Sequence, residues 1–408
     1  MTAPHHTIAR TSLLLAMVAC LAAGTWYDSI EQNPPVHPLG RGKLKKWETK
    51  VRLSVGEPQV TEPFGEGEQI NNAFNCAATK LVFPLVLEGN YTRTNPDSIR
   101  VTGMIGDRWQ TENVPWKLRG PNPDGTAEVV LSFPEVQTSI IGMEISWIAE
   151  SWVPTINEKD AALATWPRTW PAEAAPYLEP SPFIDSNASA VVEFVESITG
   201  GRQRSAPPYL VAKEITRSVV GRFRQVNESV TKLTSLTKSL STRTGTPADM
   251  VCLAVASLRA SGIPARPVIG VGSYLSSGLG KEVNSWILWC EFYLPNAGWV
   301  TFDPNEMRGK GIQLKALTEP WPWFGYEKEM NERTAISYRM MIPGSLDPQE
   351  CFAYYNALWD ETGGGTTGAP MYLTMCYWGW MKATCDEQCE PQQSSITRTN
   401  RTGSLFHR

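Results

Sequence analysis

The side chains that could perform nucleophilic or metal chemistry are unevenly distributed along the 408-residue chain. The only histidines are His5, His6, His37 and His407, so none lies between residues 38 and 406. A cysteine or serine nucleophile needs a neighbouring base, most often an imidazole, and imidazole is also the commonest metal ligand. The folded body therefore lacks the residue required for Cys–His, Ser–His or histidine-ligated metal chemistry.

Eight cysteines supply the remaining reactive groups: Cys20, Cys76, Cys252, Cys290, Cys351, Cys376, Cys385 and Cys389. The last four crowd the C-terminal part of the chain and favour disulfides in an exported protein, with a connectivity that the sequence does not fix. A zinc site is the alternative, but Cys385 and Cys389 have no second closely spaced pair. We predict disulfides there, and neither a metal site nor a cofactor.

The composition excludes other classes of protein. Acidic side chains number 41 and basic ones 37, which gives a net charge of −4 and argues against binding to nucleic acid. Hydrophobic residues make up 42% and charged residues 19%, a balance typical of globular domains. The length allows two or three domains.

The N-terminus resembles a bacterial export signal. Arg10 is followed by an uncharged run that ends in Met17-Val-Ala-Cys20. We predict a signal peptide over residues 1–24, with Cys20 as the lipidated residue of a lipoprotein. Cleavage after residues 22–24 and retention of residues 11–27 as an anchor are the alternatives. All three place the body outside the cytoplasm, in the cell envelope or secreted, with membrane contact only through the N-terminal lipid or anchor.

Turn residues and periodicity divide the rest of the chain. Proline, glycine and lysine over 25–46 indicate a tether, and short β-rich runs over 47–155 predict a small all-β domain. Residues 156–186 indicate a linker. Helical spacing follows over 188–198 and 210–223, and then a polar loop over 229–244.

A helix start and a hairpin are predicted in the next segment. Thr246 suits a helix cap, with Pro247 in the first turn and Asp249 at the third position of a capping box. Gly262 and the following proline end this helix. Strands are predicted over 266–271, 286–293 and 298–302.

This segment resembles the transglutaminase-like superfamily, whose fold is related to papain. The resemblance rests on Leu258-Arg-Ala-Ser-Gly-Ile-Pro-Ala-Arg266, on Glu291-Phe-Tyr-Leu-Pro295 followed by Gly298-Trp-Val300, and on Phe302-Asp-Pro304. It implies an α+β fold in which a helix packs on an antiparallel sheet, preceded here by the all-β domain. We assign residues 187–320 to this domain and residues 321–408 to a Cys-rich C-terminal extension.

The resemblance also implies where a catalytic triad would stand. The family pattern Gly-x-Cys-x-Asp aligns with Gly245 and Asp249, so its nucleophilic cysteine falls on Pro247. The family's histidine falls on Ile287, and its aspartate on Asp303. Proline supplies neither a thiol nor a backbone N–H for an oxyanion hole, and isoleucine cannot transfer a proton. We therefore expect a degenerate triad without catalysis, in which Asp303 acts as a turn former.

Three other side chains near these positions are candidate nucleophiles. Cys252 lies five residues into the helix, about 500° around its axis and about 7.5 Å along it, and so away from the cleft. Cys290 alternates with Ile287 and points to the other face of the strand. The sequence permits a Cys252–Cys290 disulfide without requiring one. Ser285 shares the face of Ile287 but lacks a histidine.

Three functions follow from these observations. The leading one is an exported, non-catalytic binding or scaffolding module of the cell envelope, whose partner is a protein, peptide or glycan. The first alternative is a cysteine-dependent peptidase or acyltransferase of the same family with a relocated nucleophile, Cys252 or Cys290. The second is a carbohydrate-binding envelope protein that uses the aromatic runs over 321–324 and 377–380.

Overall fold

Strands dominate the chain up to residue 156, and helices packed on a further sheet follow. The structure, a computed structural model, describes residues 37–56, 74–76, 79–105, 108–110, 114–138, 140–226, 235–276, 281–340, 350–352, 375–384 and 395–396. The described residues from Leu39 onwards belong to one compact unit. In the described part of the chain, no helix has the length and apolar content needed to cross a membrane.

The secondary structure runs in the following order. The strands are β1 (Leu39–Gly56), β2 (Phe74–Cys76), β3 (Thr79–Val86), β4 (Thr92–Thr94), β5 (Arg100–Ile105), β6 (Arg108–Gln110), β7 (Trp116–Arg119), β8 (Thr126–Phe133), β9 (Val136–Thr138), β10 (Ile140–Ile156), β11 (Arg224–Gln225), β12 (Thr244–Gly245), β13 (Ala265–Ser276), β14 (Lys281–Leu294), β15 (Gly298–Phe302), β16 (Arg333–Ser337), β17 (Glu350–Phe352), β18 (Met375–Thr384) and β19 (Ser395–Ile396). The α-helices are α1 (Glu158–Ala161), α2 (Ser189–Thr199), α3 (Pro208–Arg222), α4 (Leu236–Thr242) and α5 (Pro247–Ala260).

These strands form three principal sheets. Sheet I has the order β18-β1-β10-β5-β6, with β4 beside β10, and sheet II has the order β17-β3-β8-β7. Sheet III has the order β15-β14-β13-β16, with β19 beside β14. Two short pairs, β11-β12 and β2-β9, accompany them.

Sheets I and II pack face to face as a β-sandwich. Along β10 the side chains of Ile141, Met143, Ile145 and Trp147 are buried at every second position, as a strand with one face in a core requires. Phe83 of β3 meets Trp147 with a centroid distance of 6.2 Å. The predicted β-rich region and the helix-on-sheet region after it are both present.

The first strand begins earlier than predicted. β1 starts at Leu39, inside the segment 25–46 interpreted as a tether, because it pairs with the long strand β10 from Leu39 opposite Ile156 onwards. A register shift between Arg41 and Leu44 accommodates the glycines of this segment. The side chain of Arg41 stacks over Trp152, 4.4 Å from the ring centroid, and this contact holds the start of the strand.

A second difference concerns the polar stretch 229–244, which was predicted to be a loop. Its second half forms α4, because Ser235 caps the helix by accepting the N–H of Lys238 and Leu236 is buried against the core. Residues 227–234 lie outside the described part of the chain, as do the predicted signal peptide and Cys20, Cys385 and Cys389. Cys76, Cys351 and Cys376 lie on strands whose backbone alone is described, so the disulfides stay a prediction.

The two faces of sheet III contact different parts of the molecule. Leu288, Cys290 and Phe292 of β14 join the core that contains α5. Trp289 and Tyr293 of the same strand join a second cluster with Val86 of sheet II, on the opposite face. Sheet III therefore lies between α5 and the β-rich region.

Sheet I also binds directly to the segment that leads into β16. The indole N–H of Trp47 donates to the carbonyl of Asn331 at 3.0 Å, and the Asn331 side chain donates to the carbonyl of Lys43 at 3.1 Å. The hydroxyl of Ser151 donates to the carbonyl of Arg333 at 2.8 Å. These bonds fix the backbone at Arg333 against the β-rich region.

A buried ion pair holds the centre of sheet III. Arg266 of β13 lies directly opposite Glu291 of β14, and its Nε and Nη2 lie 2.8 Å and 2.7 Å from Glu291 Oε2. The guanidinium is enclosed by the rings of Trp299 and Tyr338, at 3.9 Å and 3.3 Å from their centroids. Burial alone would lower the pKa of Arg266, but Tyr338 and Glu291 raise it above its ordinary value, so the group stays charged.

We predict that Glu291→Gln lowers the free energy of unfolding by about 3 kcal/mol, because it leaves a buried guanidinium without its counter-charge. Urea unfolding followed by tryptophan fluorescence measures this. The matched control is Glu88→Gln, which removes an exposed pair with Arg93 (63% and 46% side-chain exposure) and changes the free energy by less than about 1 kcal/mol. Equal effects of the two substitutions would contradict the role given to the buried pair.

Candidate functional site

The N-terminus of α5 is built by the predicted capping box. Thr246 Oγ1 accepts the N–H of Asp249 at 3.2 Å, and Asp249 Oδ2 accepts the N–H of Thr246 at 2.9 Å. Asp249 is buried, and Pro247 occupies the first helical turn. The helix start is confirmed, and Asp249 is committed to capping it.

Two of the three positions implied by the family resemblance are linked by Asn305. Its side-chain amide donates to the carbonyl of Pro247 at 3.2 Å, and its backbone N–H donates to Asp303 Oδ1 at 3.0 Å. The N–H of Glu306 donates to the same oxygen at 3.2 Å. Asp303 therefore forms the expected turn and lies near the start of α5. The oxygen of the Asn305 amide is buried without a hydrogen-bond partner among the described residues.

The second oxygen of Asp303 is held by an arginine. Nη1 of Arg333 lies 2.8 Å from Asp303 Oδ2, and the two side chains are only 11% and 5% exposed. A guanidinium keeps its charge at any physiological pH and has no acceptor atom. The carboxylate that would orient a histidine thus pairs with a group that cannot act as a base.

Two tryptophans enclose this arginine. The guanidinium carbon of Arg333 lies 5.2 Å from the ring centroid of Trp289 and 5.0 Å from that of Trp323. Trp323 has φ = +62°, a conformation that a bulky residue rarely adopts, and its carbonyl accepts the N–H of Asp303 at 2.9 Å. Trp321 is buried and packs on Phe324. The aromatic run 321–324 therefore packs against the arginine and the core.

Ile287 lies on the face of sheet III that carries Trp289, opposite the face covered by α5. Its side chain occupies the space above Gly272, where an added Cβ would lie 2.4 Å from Ile287 Cδ1. Gly272 is the direct partner of Arg333 in the ladder between β13 and β16. The structure thus places Ile287 over the β13 residue that pairs with Arg333, whereas Pro247 lies in the first turn of α5.

Both thiols proposed as relocated nucleophiles are free and buried, at 1% exposure for Cys252 and 0% for Cys290. Burial and the charge of Asp249 raise the pKa of Cys252, and burial and the charge of Asp303 raise that of Cys290. The Cys290 thiol lies 3.8 Å from the carbonyl of Val251. The two cysteines are not joined by a disulfide in this structure. The backbone alone is described at Ser285.

The geometry also reveals residues that the sequence did not single out. Arg333 stands 30 residues after Asp303 as one charged residue at the start of a short strand, and nothing in its sequence neighbourhood marks it. Asn305 follows the Asp-Pro pair and could have been noted as a turn residue. In the described part of the chain, no group of three or more His, Cys, Asp or Glu side chains could hold a metal ion.

The comparison with protein families identifies the domain that contains these residues. The model of the transglutaminase-like superfamily matches residues 193–304, from within α2 to the Asp-Pro pair. These residues form a transglutaminase-like domain. The match contains all three motifs on which the resemblance rests, and it confirms the predicted α+β fold class. The outer boundaries of the domain, predicted as 187 and 320, stay a prediction.

Several solved structures are similar to this chain. A candidate cysteine protease of Cytophaga hutchinsonii is 14% identical over 90% of this chain and 98% of that one, with a TM-score of 0.49. Red sea bream transglutaminase is 14% identical over 56% and 48%, with a TM-score of 0.25. A candidate protease of Parabacteroides distasonis is 10% identical over 70% and 62%, with a TM-score of 0.21. These likenesses say nothing about the activity of this chain. None of the curated proteins matches it.

We predict that Cys252 and Cys290 resist alkylation by iodoacetamide in the folded protein, even at pH 9. The reacting species is the thiolate, and the raised pKa of both buried thiols keeps its fraction low. Peptide mapping by mass spectrometry before and after unfolding measures this. Ser241→Cys, at an exposed position on α4, supplies a thiol that reacts in the folded state. Rapid labelling of either native cysteine would contradict the burial described above.

We predict that Arg333→Met lowers the free energy of unfolding by about 3 kcal/mol, because Asp303 is then a nearly buried carboxylate without its cation. In a double-mutant cycle with Asp303→Asn, the two effects couple by about 2 kcal/mol. The exposed pair Lys328 and Glu329 gives the control cycle, with a coupling below about 1 kcal/mol. Additive effects at Arg333 and Asp303 would refute the pairing.

Proposed function

We propose that this chain is an exported, non-catalytic transglutaminase-like protein that acts as a binding or scaffolding module of the cell envelope. The observation that carries the proposal is the ion pair between Asp303 and Arg333, at 2.8 Å, near a helix that starts with Pro247. The location rests on the sequence of residues 1–24 alone.

Thiol-dependent acyl transfer needs a nucleophile, a group that takes its proton and donors for the oxyanion. Pro247 has no thiol, so it supplies no nucleophile. It also has no backbone N–H, so it supplies no donor to the oxyanion. Ile287 has no titratable atom, and Arg333 has no acceptor atom. The site retains a carboxylate, but a carboxylate bound to a guanidinium lowers no barrier in this chemistry.

The buried thiols argue against the enzymatic alternative. A relocated nucleophile must reach substrate and must ionise, and neither condition holds at Cys252 or Cys290. The carbohydrate-binding alternative draws no support from the run 321–324, because Trp321 is buried and Trp323 packs on Arg333. A protein or peptide of the envelope is the partner class that we favour.

The experiment is an activity assay on the purified full-length chain. We expect no hydrolysis of a peptide mixture and no incorporation of a primary amine into glutamine side chains above the buffer background. Cys252→Ala and Cys290→Ala are assayed in parallel, and they are expected to leave this background unchanged. Turnover by the wild-type chain that is lost in either variant would establish a thiol enzyme and defeat the proposal.

A further inference from the structure

A cavity of about 640 Å³ opens at the far end of α5 from the candidate site. Its walls come from the turn between β7 and β8, from residues 172–182, from residues 337–340 and from the last turn of α5. Arg259, the α5 residue on its wall, follows Pro247 by 12 residues, which is about 18 Å along the helix. The cavity is therefore separate from the Asp303–Arg333 pair, and its volume is typical of a site for a small ligand.

Rigid groups form much of the cavity wall. Tyr177 and Tyr338 contribute buried rings. The prolines on the wall are Pro84, Pro123, Pro176, Pro180 and Pro182. Proline has a fixed φ and loses little conformational freedom when a ligand binds. The walls thus offer preformed apolar surface to the body of a ligand.

Arg259 brings a buried positive charge to this cavity. The residue is 6% exposed, its Nε donates to the carbonyl of Ala265 at 2.8 Å, and its Nη1 donates to the carbonyl of Glu179 at 2.6 Å and to Ser181 Oγ at 3.0 Å. None of the carboxylates in the described residues forms an ion pair with it. Burial lowers the pKa of Arg259 to about 10, so the group is still charged at pH 7.

A second guanidinium faces the same cavity. Arg339 is exposed on its wall, and in the described ranges it has no ion-pair partner either. Its charge contributes to the lowered pKa of Arg259, after the effect of burial, so the two cations influence one another. Two like charges on one wall repel, and an anion between them removes that repulsion. A guanidinium group matches the geometry of a carboxylate.

The carboxylates on the cavity wall restrict the charge of the rest of the ligand. Asp124 is committed to accepting the hydroxyl of Tyr177 at 2.6 Å and that of Thr126 at 2.6 Å. Glu173 Oε1 accepts the hydroxyl of Tyr293 at 3.0 Å, which leaves its second oxygen for a ligand. Glu173 and Glu179 are both exposed, and neither forms an ion pair with a described residue. They would repel a ligand that carries only negative groups and attract one that also carries an ammonium.

We propose that this cavity binds a short peptide with free termini, its carboxylate between Arg259 and Arg339 and its ammonium group at Glu173 and Glu179. The inference rests on the proposed function in one respect, namely that the peptide is bound and released intact. It adds a site and a ligand class that the candidate site at Asp303 does not supply.

The test uses the immobilised full-length chain and an equimolar pool of tripeptides with free termini, with retained peptides quantified by mass spectrometry. The same pool is offered with amidated C-termini and, separately, with acetylated N-termini. Amidation is expected to reduce retention about tenfold or more, and acetylation to reduce it several-fold, because each removes a charge-assisted contact. Arg339→Gln is expected to reduce retention of the free pool about tenfold. Arg202→Gln, an exposed arginine outside the cavity wall, leaves it unchanged.

Arg259 is not varied, because it also holds the backbone at Ala265 and Glu179. Absence of retention, equal retention of the amidated or acetylated pool, or full retention by a folded Arg339→Gln variant would overturn the proposal. Mass spectrometry also separates the two proposals of function. Peptides retained intact uphold both, whereas peptides retained through Arg339 and recovered as fragments would uphold the site and refute the absence of catalysis.

Discussion

The buried pair of Arg266 and Glu291 is the constraint on which the rest of the structure depends. It joins β13 and β14 at directly opposed positions, and the rings of Trp299 in β15 and of Tyr338, the residue after β16, lie over the same cation. A shift of either strand by one residue would turn one charge to the opposite face and leave the other buried alone. The pair therefore favours one register between β13 and β14, and α5 and the β-rich region pack on the two faces that this register defines.

The motifs on which the family resemblance rests consist largely of residues that hold the fold together. Arg259 and Arg266 belong to the first motif and Glu291 to the second, and all three are buried and bonded within the domain. Asp303 of the third motif forms a turn and an ion pair. None of these contacts needs a thiol or an imidazole at the neighbouring positions. The residues that build this fold are therefore separable from the residues that would carry a catalytic triad.

Local signals in the sequence predicted the helix-on-sheet core well. The threonine cap, the proline and the glycine within 246–262 define the ends of α5 through interactions between near neighbours in the chain. The strand β15 has the predicted bounds, 298–302. The start of β1 was missed, because glycines and lysines read locally as a tether, whereas pairing with a strand a hundred residues away decides the outcome. The sequence did not predict the role of Arg333 or the cavity at Arg259 for the same reason. The residues that contact them are distant in the chain, and no short sequence pattern indicates which distant residues come together.

The hydrogen bonds from Trp47 and Ser151 to the backbone at 331–333 have a consequence for the boundaries of the molecule. Through these bonds the β-rich region holds the backbone at Arg333, which lies more than 170 residues further along the chain than β10. A fragment cut at the end of the family match would lose β16, Arg333 and the aromatic wall around it. The segment 193–304 therefore does not contain all the contacts that hold it in this structure. A fragment that keeps all of these contacts has to extend from β1 to at least the end of β16.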